Sequence, residues 1–252
     1  MTTVEIQELT WRLPAGVFLA ALTPADADLA ELDAAELAQV PRGDPVRRQE
    51  FIAGRVAAHT CLAALGAPPA PLRTRPDGSP AWPSSVRGSI SHKPGLCVAA
   101  AATEGVVSAL GIDVEPSKPL PGVVWATVLS PHELSRHVGS RRVQDPRVSR
   151  LVFSAKEAYY KWQVSAGATG TAEFHDVEVH VKDNSLQFSP PGAEPVGAYV
   201  VGPSWTITAV WSPPRGQKRP SGMSCDITSK RPGRTGTCDQ RNRNRISILP
   251  AG

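Results

Sequence analysis

The sequence predicts an α/β (α+β) fold with two similar subdomains, each a small sheet packed on helices, related by a pseudo-twofold axis. Two observations predict the subdomains: each half of the chain has a long helical pattern, and each has a group of strand-like segments. A third predicts a disordered tail, because the periodic apolar pattern stops at Trp211. We expect an N-terminal subdomain over residues 1–115, a C-terminal subdomain over 116–212 and a basic tail over 213–252.

The composition is that of a chain able to bury a sizeable core. Apolar residues make up 41% of the 252 residues and charged residues 20%, which excludes wholesale disorder. No apolar run approaches the roughly 18 residues of a membrane span, and the start of the chain lacks a signal-peptide pattern. We therefore expect a cytoplasmic protein with no membrane partner. Four scattered cysteines without a CxxC pair predict neither a disulfide framework nor a structural metal site.

The positive net charge belongs to the tail. Residues 213–252 carry nine basic and two acidic residues, whereas the rest of the chain carries 18 basic and 21 acidic ones. The predicted folded body is therefore slightly acidic, and it must concentrate cations locally to bind an anion. No aromatic residue interleaves the basic residues of the tail, so we do not expect nucleic acid as a partner.

Helix and strand patterns in the N-terminal half locate its candidate residues. A strand is expected around residues 11–19 and a helix over 25–40. A better-marked helix begins after the capping residue Asp44 and ends at Gly66. Three strand-like segments follow: 86–92, 96–102 and 106–115.

Basic residues gather on one stripe of the helix that Asp44 caps. Arg48, Arg55 and His59 are seven and four residues apart, and Arg47 is adjacent. They form either an exposed basic face or an anion site at the start of the helix, where free N–H groups and the helix dipole favour negative charge.

The C-terminal half repeats the order of helix and strands. Ser130 to Glu133 has the form of a capping box that opens a short helix. A longer helix is expected over residues 147–165. Four strand-like segments follow: 174–181, 186–188, 197–201 and 205–211.

Two carboxylates close the third strand, in the segment G-I-D-V-E at 111–115. Residues two apart on a strand share a face, so Asp113 and Glu115 project side by side while Ile112 and Val114 enter the core. Adjacent carboxylates repel unless a cation or proton lies between them, and Mg²⁺ prefers such oxygen ligands together with substrate phosphates. The pair indicates either a Mg²⁺ site or a solvated strand end.

Two further segments carry candidate ligands. In F-S-A-K-E-A-Y-Y-K at 153–161, Glu157 and Lys161 share a helix face. They form either an ion pair or a third carboxylate near the metal with a lysine that binds phosphate. Ser91 and His92 end a strand just before a glycine turn, and their neighbours are hydroxyls and a lysine rather than apolar residues.

Taken in order, three motifs resemble those of the large, pseudo-dimeric 4′-phosphopantetheinyl transferases: S-I-S-H at 89–92, G-I-D-V-E at 111–115 and F-S-A-K-E-A-Y-Y-K at 153–161. Two upstream segments resemble the enterobactin-synthetase component D branch of that family: R-R-Q-E-F-I-A-G-R at 47–55 and D-G-S-P-A-W-P at 77–83. The resemblance spans most of the chain before the tail.

The resemblance implies a set of site residues. Three acids match the Mg²⁺ ligands of the family: Asp113, Glu115 and Glu157. His92 matches a histidine at the phosphates of coenzyme A, Lys161 matches the lysine at the α-phosphate, and Ser91 lies beside them. Four arginines match basic residues near the 3′-phosphoadenosine and its phosphates: Arg47, Arg48, Arg55 and Arg75. The implied catalytic residues are Glu157, Lys161 and His92.

The resemblance also implies an enzyme of the holo-[acyl-carrier-protein] synthase type. Such an enzyme transfers the 4′-phosphopantetheine arm of coenzyme A to a serine of an apo acyl or peptidyl carrier protein, uses Mg²⁺ and releases 3′,5′-ADP. The expected partners are carrier proteins of polyketide, nonribosomal-peptide or fatty-acid synthases, and we expect a monomer. Glu157 is the best candidate for the base that takes the serine proton, and its roles as base and as ligand both stay open.

Two other functions fit part of the pattern. A nuclease-like, metal-dependent phosphoester enzyme also pairs acids on a strand, but restriction-type sites need a lysine two residues beyond the second acid. This chain has Pro116 and Ser117 there. A non-catalytic module that binds coenzyme A or a carrier protein would not need the full set of acids together with Lys161.

Overall fold

The structure is a computed structural model that describes residues 2–137, 147–168, 173–189, 195–214 and 246–250. Its helices within these ranges are α1 (Thr2–Thr10), α2 (Ala34–Leu37), α3 (Pro45–Ala64), α4 (Trp125–Val128), α5 (Pro131–His137) and α6 (Val148–Ala166). Its strands there are β1 (Phe18–Leu22), β2 (Val86–Lys93), β3 (Leu96–Thr103), β4 (Ala109–Pro116), β5 (Glu178–Lys182), β6 (Ser185–Ser189), β7 (Val196–Val201), β8 (Trp205–Ser212) and β9 (Ile246–Pro250). Short 3₁₀ turns occupy Pro24–Asp26, Leu29–Glu31, Gly122–Val124 and Phe174–Asp176.

The described strands form two antiparallel sheets, in the orders β2-β3-β1-β9 and β4-β8-β7-β6-β5. An apolar core lies between the sheets and takes alternate residues from both, such as Val98 of β3 and Ile207 of β8. The other face of the first sheet packs on α3, and the other face of the second packs on α6. The prediction of a mixed fold with two sheets on helices is therefore confirmed.

The helices α3 and α5 begin where the sequence predicts. Asp44 caps α3 by accepting a hydrogen bond from the backbone N–H of Val46 at 2.9 Å, and Pro45 is the first helical residue. The capping box of α5 is present: the backbone N–H of Ser130 donates to Glu133, whose own N–H donates to the serine hydroxyl.

Two predicted elements near the N-terminus are wrong. Residues 25–40 form two 3₁₀ turns and the four-residue α2 instead of one helix. The reason is local: Asp28 and Asp33 each accept a hydrogen bond from a backbone N–H two residues on. Each of these bonds begins a new short turn, so one continuous helix does not form. The strand expected at 11–19 begins only at Phe18, after a turn in which Gly16 has a positive φ of 89°.

A short strand lies within the segment expected as the tail. β9 pairs antiparallel with β1, from Leu22 opposite Ile246 to Phe18 opposite Pro250. β9 lies within the segment expected as the tail and takes the edge position of the first sheet, beside β1. Residues 215–245 lie outside the described ranges. In the part of the chain that the structure describes, no helix has the length and apolar character needed to cross a bilayer.

The hydrogen bonding of β4 bears on the division into subdomains. The expected boundary after residue 115 groups this strand with the N-terminal half, but β4 pairs with β8 over Ala109–Pro116. β4 is therefore part of the second sheet, and the boundary after residue 115 stays a prediction. The expected orientation of β4 is confirmed: Ile112 and Val114 are fully buried in the core between the sheets, and the acids lie on the face toward α6.

Candidate active site

The close packing of α6 on β4 builds the site. A Cβ added at Gly111 of β4 would lie 2.0 Å from the carbonyl oxygen of Ala158 and 2.5 Å from the backbone nitrogen of Trp162. Both atoms belong to the helix backbone, so any side chain at this position would force the helix away. The glycine thus lets α6 approach until its side chains reach Asp113 and Glu115.

Serines of β2 hold the part of β4 that carries the acids. The hydroxyl oxygen of Ser89 accepts from the backbone N–H of Ile112 at 3.0 Å, and that of Ser91 accepts from the N–H of Val114 at 3.3 Å. These bonds tie β2 to β4 although the two strands belong to different sheets. The S-I-S segment therefore fixes the backbone on both sides of Asp113.

Asp113 is the most fully bonded acid of the site and is 2% exposed. Its Oδ1 accepts from the hydroxyl of Ser91 and from Nζ of Lys161, both at 2.8 Å. Its Oδ2 accepts from the hydroxyl of Ser154 at 2.9 Å. Lys161 also donates to the Ser91 hydroxyl at 2.9 Å. The structure therefore brings together three predicted site residues and adds Ser154, which the sequence analysis missed.

Glu115 is buried between two cations that the sequence analysis did not select. Arg150 donates to its Oε2 at 3.0 Å, and Nζ of Lys93 lies 2.8 Å from its Oε1. The lysine approaches outside hydrogen-bonding geometry, which leaves Oε1 with an ion-pair contact but no directed donor. Burial raises the pKa of Glu115, and the charge of Asp113 adds to this, against the opposing effect of Lys93 and Arg150.

Glu157 is half-buried opposite the two acids of β4. Burial raises the pKa of its carboxyl, the negative charge of Asp113 raises it further, and Lys161 and Lys93 lower it. A carboxyl with a raised pKa beside two other acids is suited either to take up a proton or to share a cation with them. The charges of Asp113 and Glu115 act on Glu157, and the prediction that Glu157 is a Mg²⁺ ligand and the base stays a prediction.

A spacing pattern could have identified the missed residues of α6. Four polar side chains recur at intervals of four, three and four residues, which places them on one face of a helix: Arg150, Ser154, Glu157 and Lys161. Only Glu157 and Lys161 were predicted as site residues. No comparable signal in the sequence points to Lys93, whose role depends on the meeting of β2 and β4.

His92 and Lys93 occupy the end of β2 beside the cluster. Nδ1 of His92 lies 3.0 Å from Oε2 of Glu50, a carboxylate of α3 that is 11% exposed. Burial lowers the pKa of His92, and the charges of Lys161 and Lys93 lower it further, while Glu50 raises it. His92 therefore lies near Lys161 and beside an acidic partner, Glu50, and its predicted contact with phosphates stays a prediction.

The residue types of the cluster suit Mg²⁺, because Asp113, Glu115 and Glu157 supply carboxylate oxygens whose charges act on one another, and Oε1 of Glu115 has no directed donor. As they stand, however, no three His, Cys, Asp or Glu side chains among the described residues are close enough to hold one ion. Lys161 and Lys93 lie against the carboxylate oxygens instead. Asp113 and Glu115 therefore lie in ion pairs with nearby cations, and the acids of the cluster are not arranged around a single ion.

Two cavities flank the cluster on either side of Tyr160, which lines both. The smaller, about 320 Å³, lies between β2 and the loop before it, and it contains Arg75, Trp82 and Lys161. Gly88 forms part of its wall, because a Cβ there would lie 2.5 Å from the Trp82 ring. The larger, about 670 Å³, contains Glu157 and is lined by aromatic and polar groups of α6 and the Phe174–Asp176 turn.

The four predicted arginines occupy different places. Arg75 lines the smaller cavity, and Arg47 and Arg48 are exposed on the first turn of α3. Arg55 is buried: it donates to the Thr74 hydroxyl at 3.0 Å and stacks over the ring of Phe51. It lines neither cavity and instead fastens the loop before β2 to α3.

Comparisons with known proteins identify the family. The family model described as the 4′-phosphopantetheinyl transferase N-terminal domain matches residues 35–102, and that of the 4′-phosphopantetheinyl transferase superfamily matches residues 109–191. The chain is 39% identical over 156 residues to the 4′-phosphopantetheinyl transferase Svp of Streptomyces mobaraensis. The match covers 61% of this chain and 63% of Svp, so the chain spans slightly less than two thirds of that relative's length.

Two further relatives are covered more fully. The chain is 36% identical over 175 residues to the 4′-phosphopantetheinyl transferase Npt of Nocardia iowensis, covering 69% of this chain and 77% of Npt. It is 34% identical over 166 residues to the 4′-phosphopantetheinyl transferase PptT of Mycobacterium tuberculosis (strain ATCC 25618 / H37Rv). That match covers 58% of this chain and 70% of PptT. With the motifs gathered at one site and both halves matched, the chain belongs to the 4′-phosphopantetheinyl transferase superfamily, a family of transferase enzymes.

Proposed function

We propose that this protein transfers the 4′-phosphopantetheine arm of coenzyme A to a serine hydroxyl of an apo acyl or peptidyl carrier protein and releases 3′,5′-ADP. The observation that carries the proposal is the cluster in which Lys161 of α6 pairs with Asp113 of β4 while the charges of Asp113 and Glu115 act on Glu157. The names of the relatives support the same activity.

The two cavities support a placement for coenzyme A. The 3′-phosphoadenosine fits the smaller one, where Arg75 supplies positive charge and Trp82 an aromatic wall. The diphosphate then lies at the cluster, within reach of Lys161 and His92. The pantetheine arm continues past Tyr160 into the larger cavity, which also contains Glu157. Arg47 and Arg48 remain proposed contacts for the 3′-phosphate.

The same proposal includes Mg²⁺, which Asp113, Glu115 and Glu157 would hold after Lys93 and Lys161 turn from the acids toward the phosphates. The three carboxylates are balanced by Lys93, Arg150 and Lys161, so a bound divalent ion leaves the cluster with an excess positive charge. When bound, Mg²⁺ supplies positive charge to the diphosphate oxygens and to the departing phosphate.

The chain's own residues account for the remaining chemistry. The carrier serine oxygen forms a bond to the phosphorus that bears the pantetheine arm, and the bond from that phosphorus to the bridging oxygen breaks. Glu157 takes the serine proton directly or through a water, for which its raised pKa suits it. Lys161 balances the charge on the phosphate of the departing 3′,5′-ADP.

Replacing Glu157 with glutamine tests its part in this step. We expect kcat to fall by about 10²-fold or more, since a glutamine cannot accept the proton. The calorimetric affinity for coenzyme A is expected to stay within a small factor of the wild-type value if Glu157 is mainly the base. If Glu157 is mainly a ligand, the affinity for Mg²⁺ falls as well. Unchanged kcat would remove Glu157 from the mechanism.

Mass spectrometry of a carrier protein tests the function itself. Wild-type protein incubated with coenzyme A, Mg²⁺ and a panel of apo carriers from fatty-acid, polyketide and nonribosomal-peptide synthases is expected to add one phosphopantetheine arm to at least one carrier. A carrier whose acceptor serine is replaced by alanine is the matched control. No mass increase on any carrier, from protein that binds coenzyme A normally, would overturn the proposal.

Several finer features belong to this proposal. The segments at 47–55 and 77–83 support the enterobactin-synthetase component D branch of the family. A cytoplasmic location agrees with Cys61 and Cys97, which are free thiols buried in the fold. We also propose that the protein is a monomer. Gel filtration with light scattering would measure its mass in solution and test this state.

A further inference from the structure

We infer that Arg150 of α6 is a positioning residue for Glu115: it fixes Oε2 of that carboxylate and thereby reserves Oε1 for an incoming divalent cation. The inference deepens the proposed function and rests on its Mg²⁺ site. It starts from a difference between the two oxygens of Glu115. Nη1 of Arg150 donates to Oε2 at 3.0 Å, whereas the buried Oε1 has no directed donor among the described residues.

The arginine is itself held in place. Its Nε donates to the backbone oxygen of Lys118 at 3.1 Å, and its Nη2 donates to that of Pro119 at 3.4 Å. Both oxygens belong to the loop after β4, so one side chain joins α6, this loop and Glu115. A guanidinium is a planar fork of donors with fixed geometry, and the side chain of Arg150 is only 16% exposed. The protein therefore sets the direction of the bond to Oε2.

The second cation beside Glu115 is held less firmly. Nζ of Lys93 lies 2.8 Å from Oε1, and the lysine side chain is 36% exposed. An ammonium on a flexible four-carbon stem can turn to another partner, and a partly exposed ion pair is weak. A divalent cation can therefore replace Lys93 at Oε1 while Arg150 stays at Oε2. The two cations have different roles: one orients the carboxylate, and the other occupies the oxygen that a metal would take.

This division of roles predicts opposite effects for the removal of two like charges. The loss of any nearby cation makes the site more negative, so charge alone would strengthen Mg²⁺ binding in both cases. Loss of Lys93 follows that rule, because it removes the competitor for Oε1. Loss of Arg150 leaves the carboxylate free to turn and takes the donor from Oε2. We therefore expect Arg150→Gln to weaken Mg²⁺ binding, against the electrostatic trend.

Three further variants separate orientation from other effects. Arg150→Lys keeps the charge but lacks the fork that reaches Glu115 and both carbonyls, so it is expected to behave like Arg150→Gln. On a Glu115→Gln background, Arg150→Gln is expected to change Mg²⁺ binding little, whereas an effect through the loop alone would persist. Arg87→Gln is the matched control, because Arg87 also donates to a carboxylate, that of Glu104, and to backbone oxygens.

Calorimetric titration of Mg²⁺, into protein alone and into protein with excess coenzyme A but no carrier, tests the inference. We expect Arg150→Gln and Arg150→Lys to weaken Mg²⁺ affinity by about tenfold, the scale for partners of a metal ligand. Lys93→Gln is expected to strengthen it about twofold to fivefold in protein alone, the scale of a partly exposed ion pair. Arg87 lines the smaller cavity, so its control is measured without coenzyme A and is expected to match wild type.

Circular dichroism first establishes that each variant is folded, and Arg150→Lys carries the same prediction if Arg150→Gln does not fold. Unchanged or stronger Mg²⁺ binding in Arg150→Gln, or wild-type affinity in Arg150→Lys, would overturn the inference. So would an equal loss on the Glu115→Gln background, or a wild-type protein that binds Mg²⁺ in neither condition.

The order of these affinities does not depend on a carrier, which separates the inference from the proposed function. The expected order in protein that modifies no carrier supports the role of Arg150 and counts against the function alone. Carrier modification by wild type, together with wild-type Mg²⁺ affinity in Arg150→Gln, overturns the inference and leaves the function standing.

Discussion

An alanine at position 111 is expected to abolish carrier modification and to lower the free energy of unfolding by about 3 kcal/mol, the upper part of the range for overpacking a core. The added methyl group would lie 2.0 Å from the carbonyl oxygen of Ala158, and helix backbone cannot yield as a flexible side chain does. Relief requires α6 to move away from β4. Glu157 and Lys161 then leave the acids of β4, so stability and activity fall together.

Urea unfolding and the carrier mass assay measure the two effects of this substitution. Gly122→Ala is the matched control, because a Cβ at Gly122 meets no atom within 4 Å and the same residue types are exchanged. The control is expected to keep wild-type stability and activity. A Gly111→Ala protein with the stability and activity of wild type would contradict the packing of α6 on β4 described above.

Lys156→Met is expected to cost about 3–5 kcal/mol of unfolding free energy, the scale for breaking a buried ion pair on one side. Lys156 is 3% exposed, and its Nζ donates to Glu133 Oε2 and to the backbone oxygen of Phe174, both at 2.6 Å, and to that of Val128 at 2.9 Å. The ammonium therefore fastens α6 to α4, α5 and the turn before β5. Without it, the fully buried carboxylate of Glu133 loses its cation.

Thermal and urea unfolding of three variants distinguish this pair from a general effect of removing a lysine. Lys118→Met removes an exposed lysine and is expected to change stability by less than about 0.5 kcal/mol. The double variant Lys156→Met with Glu133→Gln is expected to be more stable than Lys156→Met alone, because no uncompensated charge stays buried. Equal stability of Lys156→Met and wild type would show that the pair does not hold the C-terminal half together.

The sequence predicts well those features that depend on neighbouring residues. Period-2 alternation correctly oriented β4, with Ile112 in the core and Asp113 toward the helix, because alternation is a property of a single strand. The cap at Asp44 and the length of α3 followed from the same kind of local signal. Motif spacing then placed Glu157 and Lys161 on one face of α6.

Features that depend on contacts between distant elements escaped prediction. Gly111 has a role only because α6 crosses above it, and Lys93 reaches Glu115 only because β2 lies beside β4. The burial of Arg55 under the loop before β2, where it donates to Thr74, was likewise beyond any local pattern. The pairing of β9 with β1 joins segments more than 200 residues apart, beyond the reach of any local pattern.

The proposed mechanism requires the acids of β4 and α6 to bind an anionic cofactor through a shared divalent ion. Calorimetric titration of coenzyme A, with and without Mg²⁺, into wild type and Asp113→Asn tests this idea most directly. We predict that Mg²⁺ strengthens binding to wild type by about 10–100-fold, the scale on which changes at a metal site act, and has little effect on Asp113→Asn. Equal affinities for wild type with and without Mg²⁺, or an undiminished Mg²⁺ effect in Asp113→Asn, would contradict it.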